Sequence, residues 1–151
     1  MTPSPVPNHQ KISREIEFEL LKFVKEKGLG EVFDAPCDVH LDDENVVQPD
    51  ILFISKDRLT IIGEKNIETA PDLVIEILSE STAYRDLIQK KRLYARFGVK
   101  EYWIVVPGEK TIDIHILKDK TYQLYKTLGE DDTLESQILK GFKMELKAIF
   151  K

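Results

Sequence analysis

Apolar residues at three- and four-residue spacing open the chain's pattern. Ile12, Ile16, Leu20, Phe23 and Val24 predict an amphipathic helix over residues 8–27, with Gly28 and Gly30 as its stop. Ahead of it, the Pro-rich residues 1–7 predict irregular chain. Residues 31–40 read as a strand, the acidic run Leu41-Asp42-Asp43-Glu44-Asn45 as a turn, and residues 46–55 as a second strand. Residues 56–70 are polar and loop-like apart from Leu59-Thr60-Ile61-Ile62. The run Leu73-Val74-Ile75-Glu76-Ile77-Leu78 is a strand again. From it, the capping cluster Ser79-Glu80-Ser81-Thr82 leads into a helix that ends near Gly98. The nearly continuous apolar run Glu101-Tyr102-Trp103-Ile104-Val105-Val106 predicts a central strand, and Pro107-Gly108-Glu109-Lys110 turns the chain. Residues 111–117 and 122–126 predict a hairpin around Lys118-Asp119-Lys120, and residues 141–150 a final strand or short helix.

This order of helix, strands, helix and strands predicts a mixed α/β fold whose sheet holds both parallel and antiparallel pairs. The unit from Leu73 to Val106 is expected to be a right-handed parallel crossover, which places its loops and the Glu76 end on one edge. No internal repeat or linker divides the 151 residues, so one domain is expected. The single cysteine, Cys37, excludes an intramolecular disulfide and a Cys-rich zinc site, and fits a reducing compartment. No run approaches 18 apolar residues and the opening lacks a signal peptide's apolar core, so a cytoplasmic protein with no membrane partner is expected. A formal net charge of -5 argues against a general nucleic-acid coat protein while leaving room for a local basic groove.

The candidate chemistry lies in carboxylates carried by apolar runs. Asp50 heads the strand Ile51-Leu52-Phe53-Ile54, and Glu76 interrupts its own apolar run. A buried carboxylate needs a partner, and a divalent cation is among the few that suffice. Asp50, Glu76 and a backbone carbonyl such as that of Ile77 are therefore the expected ligands of Mg²⁺ or Mn²⁺. For Asp50 alone, a strand-entry Pro-Asp dipeptide is an equal reading, and Glu76 could instead face a buried cationic side chain. Asp72, four residues before Glu76 on the same face, is a strand-start residue first and a further ligand second. On the second helix, Ala83, Leu87, Leu93, Tyr94 and Phe97 form the apolar stripe; Lys90 falls inside it and Lys91 outside, facing solvent, with Asp86 one turn before Lys90. An inward lysine beside two carboxylates can orient a water or stabilise charge in phosphoryl transfer; a plain Asp86–Lys90 helix pair is the simpler account. His9, His40 and His115 show no metal-ligand spacing, and neither a nucleophilic triad nor a Gly-rich phosphate loop is present. Trp103 and Tyr102 read as core.

Several of these pieces occur together and in order: Gln48-Pro49-Asp50, Pro71-Asp72-Leu73-Val74-Ile75-Glu76-Ile77-Leu78-Ser79, Asp86 with Lys90, Tyr94, and Gly98-Val99-Lys100-Glu101-Tyr102-Trp103-Ile104-Val105-Val106-Pro107. With Pro3-Ser4-Pro5 to His9-Gln10 and Ser136 to Gly141-Phe142, the chain resembles the Uma-two family of endonucleases over nearly its whole length. That resemblance implies a restriction-endonuclease-like core, a mixed β-sheet flanked by helices, with Asp50 and Glu76 as metal ligands and Lys90 as the assisting group. The superfamily's usual lysine stands two residues after the acidic residue, where this chain has Leu78, so Lys90 would act as a migrated lysine. A first-helix glutamate often joins such sites, which makes Glu19 a further candidate. Family members commonly carry a preceding Tyr-Glu-Leu hairpin, which a partner would supply here or a shorter variant would lack.

Together these features predict a metal-dependent endonuclease hydrolysing DNA phosphodiester bonds, with Arg85, Lys91 and Arg92 contacting the nucleic acid and, by analogy with enzymes that cut two strands, a homodimer. The alternative is a catalytically inactive nuclease fold that binds nucleic acid or a protein partner, favoured by the acidic net charge and by Leu78.

Overall fold

In the computed structural model, residues 6–82 and 84–151 are described. The expected stretch at Pro3-Ser4-Pro5 and the stripe position Ala83 lie outside them. Helix α1 spans Pro7–Lys27 and buries Ile12, Ile16, Leu20 and Val24 along one stripe. Pro7, expected to be irregular, is instead the first helical residue, where its missing N–H costs nothing. Gly28, at φ 62°, ends the helix in the left-handed conformation that glycine adopts without strain.

Two strands expected to be continuous are interrupted, both at prolines. Residues 31–40 divide into β1 (Gly30–Asp34) and β2 (Val39–His40), separated by Pro36; residues 46–55 divide into β3 (Val46–Val47) and β4 (Ile51–Ser55), separated by Pro49. A proline has no N–H to give the ladder. As a result β2 and β3 leave the main sheet and pair with each other, with Val39 also bridging to Ile67. Asp50 is left just ahead of β4 rather than inside a strand. The apolar piece at residues 59–62 mostly belongs to a short 3-10 helix, Lys56–Ile61.

Beyond it run β5 (Leu73–Ile77), α2 (Tyr84–Arg96), β6 (Glu101–Val106), β7 (Thr111–Lys118) and β8 (Thr121–Leu128). A further strand, β9 (Thr133–Glu135), was not foreseen. It pairs with β10 (Lys143–Glu145), which runs into α3 (Leu146–Ile149), so residues 141–150 hold both a strand and a short helix. The six-stranded sheet has the order β1-β4-β5-β6-β7-β8, and β5 with β6 is its parallel pair among antiparallel neighbours. Mixed pairing joined by one helical crossover is the architecture the sequence predicts.

Each face of the sheet has its own core. On one side α1 packs over Ile51, Phe53, Ile75, Ile77, Trp103 and Val105. On the other, Leu52, Ile54, Val74, Tyr102 and Ile104 meet Tyr94 of α2. Strand alternation therefore turns Glu76 toward α2, while its neighbours Ile75 and Ile77 point toward α1. Among the described residues, no helix is long and apolar enough to cross a membrane.

Candidate active site

The carboxyl end of β5 is where the chain turns away from the sheet toward α2, and open α/β sheets place their ligand crevices at such ends. Pro49 stops the preceding strand and leaves Asp50, just ahead of β4, free to aim at this end of the neighbouring β5. Its Oδ2 accepts the N–H of Ile77 at 2.7 Å, which fixes the carboxylate against the end of β5. Glu76 is 6% exposed, and its Oε2 accepts the hydroxyl of buried Tyr94 at 3.0 Å. Lys90 brings its Nζ to 3.3 Å from the same oxygen while its side chain stays 47% exposed. Lys90, expected inward on the stripe, thus reaches Glu76 from the rim with its own side chain still exposed.

Electrostatics separates this pair from ordinary surface carboxylates. Burial raises the pKa of Glu76 above its usual value; Lys90 opposes that rise and the charge of Asp50 adds to it. Asp50 is also raised by burial, against the pull of the Ile77 N–H, His9 and Lys90. Tyr94 is pushed well above the ordinary phenol range by burial and by Glu76, so it stays a donor. Two desolvated carboxylates thus repel each other with the Lys90 ammonium beside Glu76, and their negative charge is under-compensated. A hard divalent cation with oxygen ligands fits that donor set.

His9 was missed by sequence reasoning because its partners are remote. Its Nε2 lies 3.1 Å from the carbonyl oxygen of Ile77, 68 residues away, and 3.7 Å from Asp50 Oδ1. The available signal was positional: His9 stands three residues before Ile12 and seven before Ile16, on the inward stripe of α1. Among the described residues, no three His, Cys, Asp or Glu side chains are already gathered as a metal cage. The ligand set expected from sequence accordingly includes a backbone carbonyl, that of Ile77.

Other candidates lie elsewhere. Asp72, four residues before Glu76 and about 13 Å from it along the strand, is buried in a bracing cluster. It accepts the Ser55 N–H at 2.8 Å, and Arg58 at 3.1 Å and Lys100 at 3.3 Å neutralise it. Its strand-start reading is the one the geometry favours. Glu19 pairs with Lys22 at 3.6 Å and sits about 15 Å along α1 from His9, so the fold does not bring it to Asp50. Arg85 and Arg92 are exposed on α2. Lys91 corrects an expectation: it is half-buried and close enough to His115 to help lower that imidazole's pKa, after burial. The reason is its spacing, since Lys91 lies three and four residues before Tyr94 and Ala95, the two positions α2 buries.

Comparison with known proteins places the chain in a family. The solved structure described as "a putative nuclease belonging to DUF820", from Anabaena variabilis, shares the fold at a TM-score of 0.80 and 19% sequence identity, covering 99% of this chain and 84% of that one. No curated protein matches the chain. The family profile described as "Putative restriction endonuclease" matches residues 1–147, and the chain belongs to that family, Uma2.

Proposed function

We propose that the protein is a divalent-metal-dependent endonuclease that hydrolyses DNA phosphodiester bonds at the carboxyl end of β5. The observation that carries this reading is the buried, mutually repelling pair Asp50 and Glu76 with Lys90 against it, in a chain of this family. Asp50, Glu76 and the Ile77 carbonyl would hold Mg²⁺ or Mn²⁺. When bound, such an ion supplies positive charge for the phosphate oxygens and lowers the pKa of water. The protein's own share is positional. The Ile77 N–H holds Asp50, the Tyr94 hydroxyl holds Glu76, and the Lys90 ammonium is free at its outer end to hold the attacking water or stabilise charge on the phosphate. Leu78 leaves the usual lysine position apolar, which gives that task to α2. Cutting both strands of a duplex needs two such sites, and a homodimer would supply them.

The test is plasmid cleavage with Mg²⁺ or Mn²⁺ by the wild type and by Asp50→Asn. Cleavage that requires the metal and disappears in the variant is the expected result. Absence of cleavage together with salt-sensitive DNA binding would favour the alternative, an inactive nucleic-acid-binding module.

Contact with DNA makes a second prediction. Between Tyr84 and Lys100 the chain carries six basic residues, Arg85, Lys90, Lys91, Arg92, Arg96 and Lys100, against one acidic residue, Asp86. Arg85, Arg92 and Arg96 are exposed. With Ca²⁺ replacing Mg²⁺, DNA affinity measured by anisotropy should fall steeply with salt, and the Arg85→Ser, Arg92→Ser double variant should flatten the log–log slope by about 2, one per lost phosphate contact. An unchanged slope would remove these arginines from the interface.

A further inference from the structure

We propose that His9 is a further ligand of the cation pocket, giving it one nitrogen donor and a preference for Mn²⁺ over Mg²⁺; this rests on the metal-dependent reading of the same site. The first turn of α1 is held over the carboxyl end of β5 because Ile12, Ile16, Leu20 and Val24 bury the helix against the sheet. That packing fixes His9 by its backbone, and its side chain is only 13% exposed. Its Nε2 faces two oxygens, the Ile77 carbonyl at 3.1 Å and Asp50 Oδ1 at 3.7 Å. These are the two oxygens that would face an ion beside Glu76, since Asp50 Oδ2 is turned to the Ile77 N–H.

The Nε2–Ile77 oxygen distance is that of atoms sharing one ion, and the 3.7 Å to Asp50 Oδ1 would have to shorten. Neighbouring ligand atoms in an octahedral shell with bonds near 2.1 Å stand about 3 Å apart. Without an ion, the same two distances describe an Nε2–H donated to Ile77 within ion-pair reach of Asp50, a contact that a bound cation would replace. Because the side chains are not already drawn into a cage, the ion itself would close the set. Ligation requires the imidazole to carry its proton on Nδ1, so that Nε2 presents a lone pair. Imidazole nitrogen suits Mn²⁺ better than Mg²⁺, which prefers oxygen and water. Asp50, Glu76 and Ile77 alone would give an all-oxygen site without that preference.

The experiment is Mn²⁺ and Mg²⁺ titration by calorimetry, with pulsed electron paramagnetic resonance of bound Mn²⁺, on the wild type, His9→Ala, His9→Gln and Asp50→Asn. In the wild type, bound Mn²⁺ should show coupling to a ¹⁴N nucleus. Both His9 variants should lose that coupling, and His9→Ala should lose roughly tenfold or more in Mn²⁺ affinity with a smaller loss for Mg²⁺. His9→Gln keeps an N–H donor for Ile77, so it separates a lost ligand from a lost hydrogen bond. Oxygen-only coupling in the wild type overturns the inference, and so does a His9→Ala variant that binds Mn²⁺ as tightly or more tightly, which would make His9 a competitor for the ion's place. If the wild type binds neither ion, or Asp50→Asn binds them equally well, the metal-dependent reading itself falls and the inference falls with it.

Discussion

Glu76→Gln is expected to abolish metal-dependent cleavage and, in the absence of metal, to melt at a higher temperature than the wild type. Both outcomes follow from one fact, that Glu76 is a desolvated carboxylate with Asp50 beside it and only Lys90 and Tyr94 in its favour. Its folded pKa lies above the ordinary value near 4.5. Over the window between those two values the native state binds the proton more tightly than the unfolded chain, so stability falls as pH rises through it. A neutral amide of the same shape keeps an acceptor for the Tyr94 hydroxyl and removes that penalty. The variant's advantage should therefore be absent below about pH 4.5, grow through the window and then level off. Added Mn²⁺ should reverse the ranking, since a ligand at 100 times its dissociation constant stabilises by about 2.7 kcal/mol and the variant would gain little of it. Lys90→Met should keep metal binding and lose roughly two or more orders of magnitude in cleavage. Calorimetric melting across pH, with and without Mn²⁺, beside single-turnover cleavage, reads all of these. A Glu76→Gln variant that cleaves at the wild-type rate, or that melts lower at neutral pH without metal, would contradict the account of the pair.

How much of this was legible depended on the range of each interaction. Periodicity is local, so α1, β5, β6 and the β7–β8 hairpin could be read directly, and the apolar run around Glu76 exposed the carboxylate that breaks it. Lys90 followed from its spacing to Tyr94 and Phe97. The same rule misplaced Lys91, because α2 buries Tyr94 and Ala95, and Lys91 lies one turn before both. The breaks at Pro36 and Pro49 were visible in the sequence but were overridden by the apolar residues around them; the missing N–H is the stronger signal. Strand β9 has three residues and only Leu134 buried, too little for any pattern to show. His9 could not be found from spacing among histidines, because its partners are a carbonyl 68 residues away and a carboxylate on another element. Asp72 and Glu76 look alike in the sequence, each an acid in an apolar setting, and only the fold separates a carboxylate neutralised by Arg58 and Lys100 from one left short of positive charge.

Glu101 is the opposite case, a fully buried carboxylate with no local pattern to single it out, and its removal should be among the most destabilising single changes in the chain. It opens β6 between Leu73 of β5 and Ile116 of β7, and no lysine or arginine is needed to hold it. Its Oε2 accepts from Trp103 Nε1 at 2.6 Å and Ser136 Oγ at 2.8 Å, while its Oε1 accepts the backbone N–H groups of Gln137 at 2.9 Å and Ile138 at 3.2 Å. One side chain thus ties the turn after β9 to the centre of the sheet, across 35 to 37 residues. Glu101→Ala would leave four donors without an acceptor in a place water does not reach, a loss on the order of 4 kcal/mol. For a domain of this size that corresponds to roughly 8–16 °C in melting temperature. Glu101→Gln should be nearly as harmful, because whichever way the amide turns its NH₂ must face N–H donors, either Trp103 or the pair at Gln137 and Ile138, and only the Ser136 hydroxyl can rotate to accept. Trp103 is the sole tryptophan, so its fluorescence reports the loss at the site itself while thermal unfolding reports it globally. Mn²⁺ affinity of the folded Glu101→Gln variant at low temperature should match the wild type, since Glu101 sits at the opposite end of β6 from the residues paired with Glu76 and Ile77. A melting temperature within about 3 °C of the wild type, roughly the effect of a single such hydrogen bond, would mean that the turn holds to the sheet without this carboxylate.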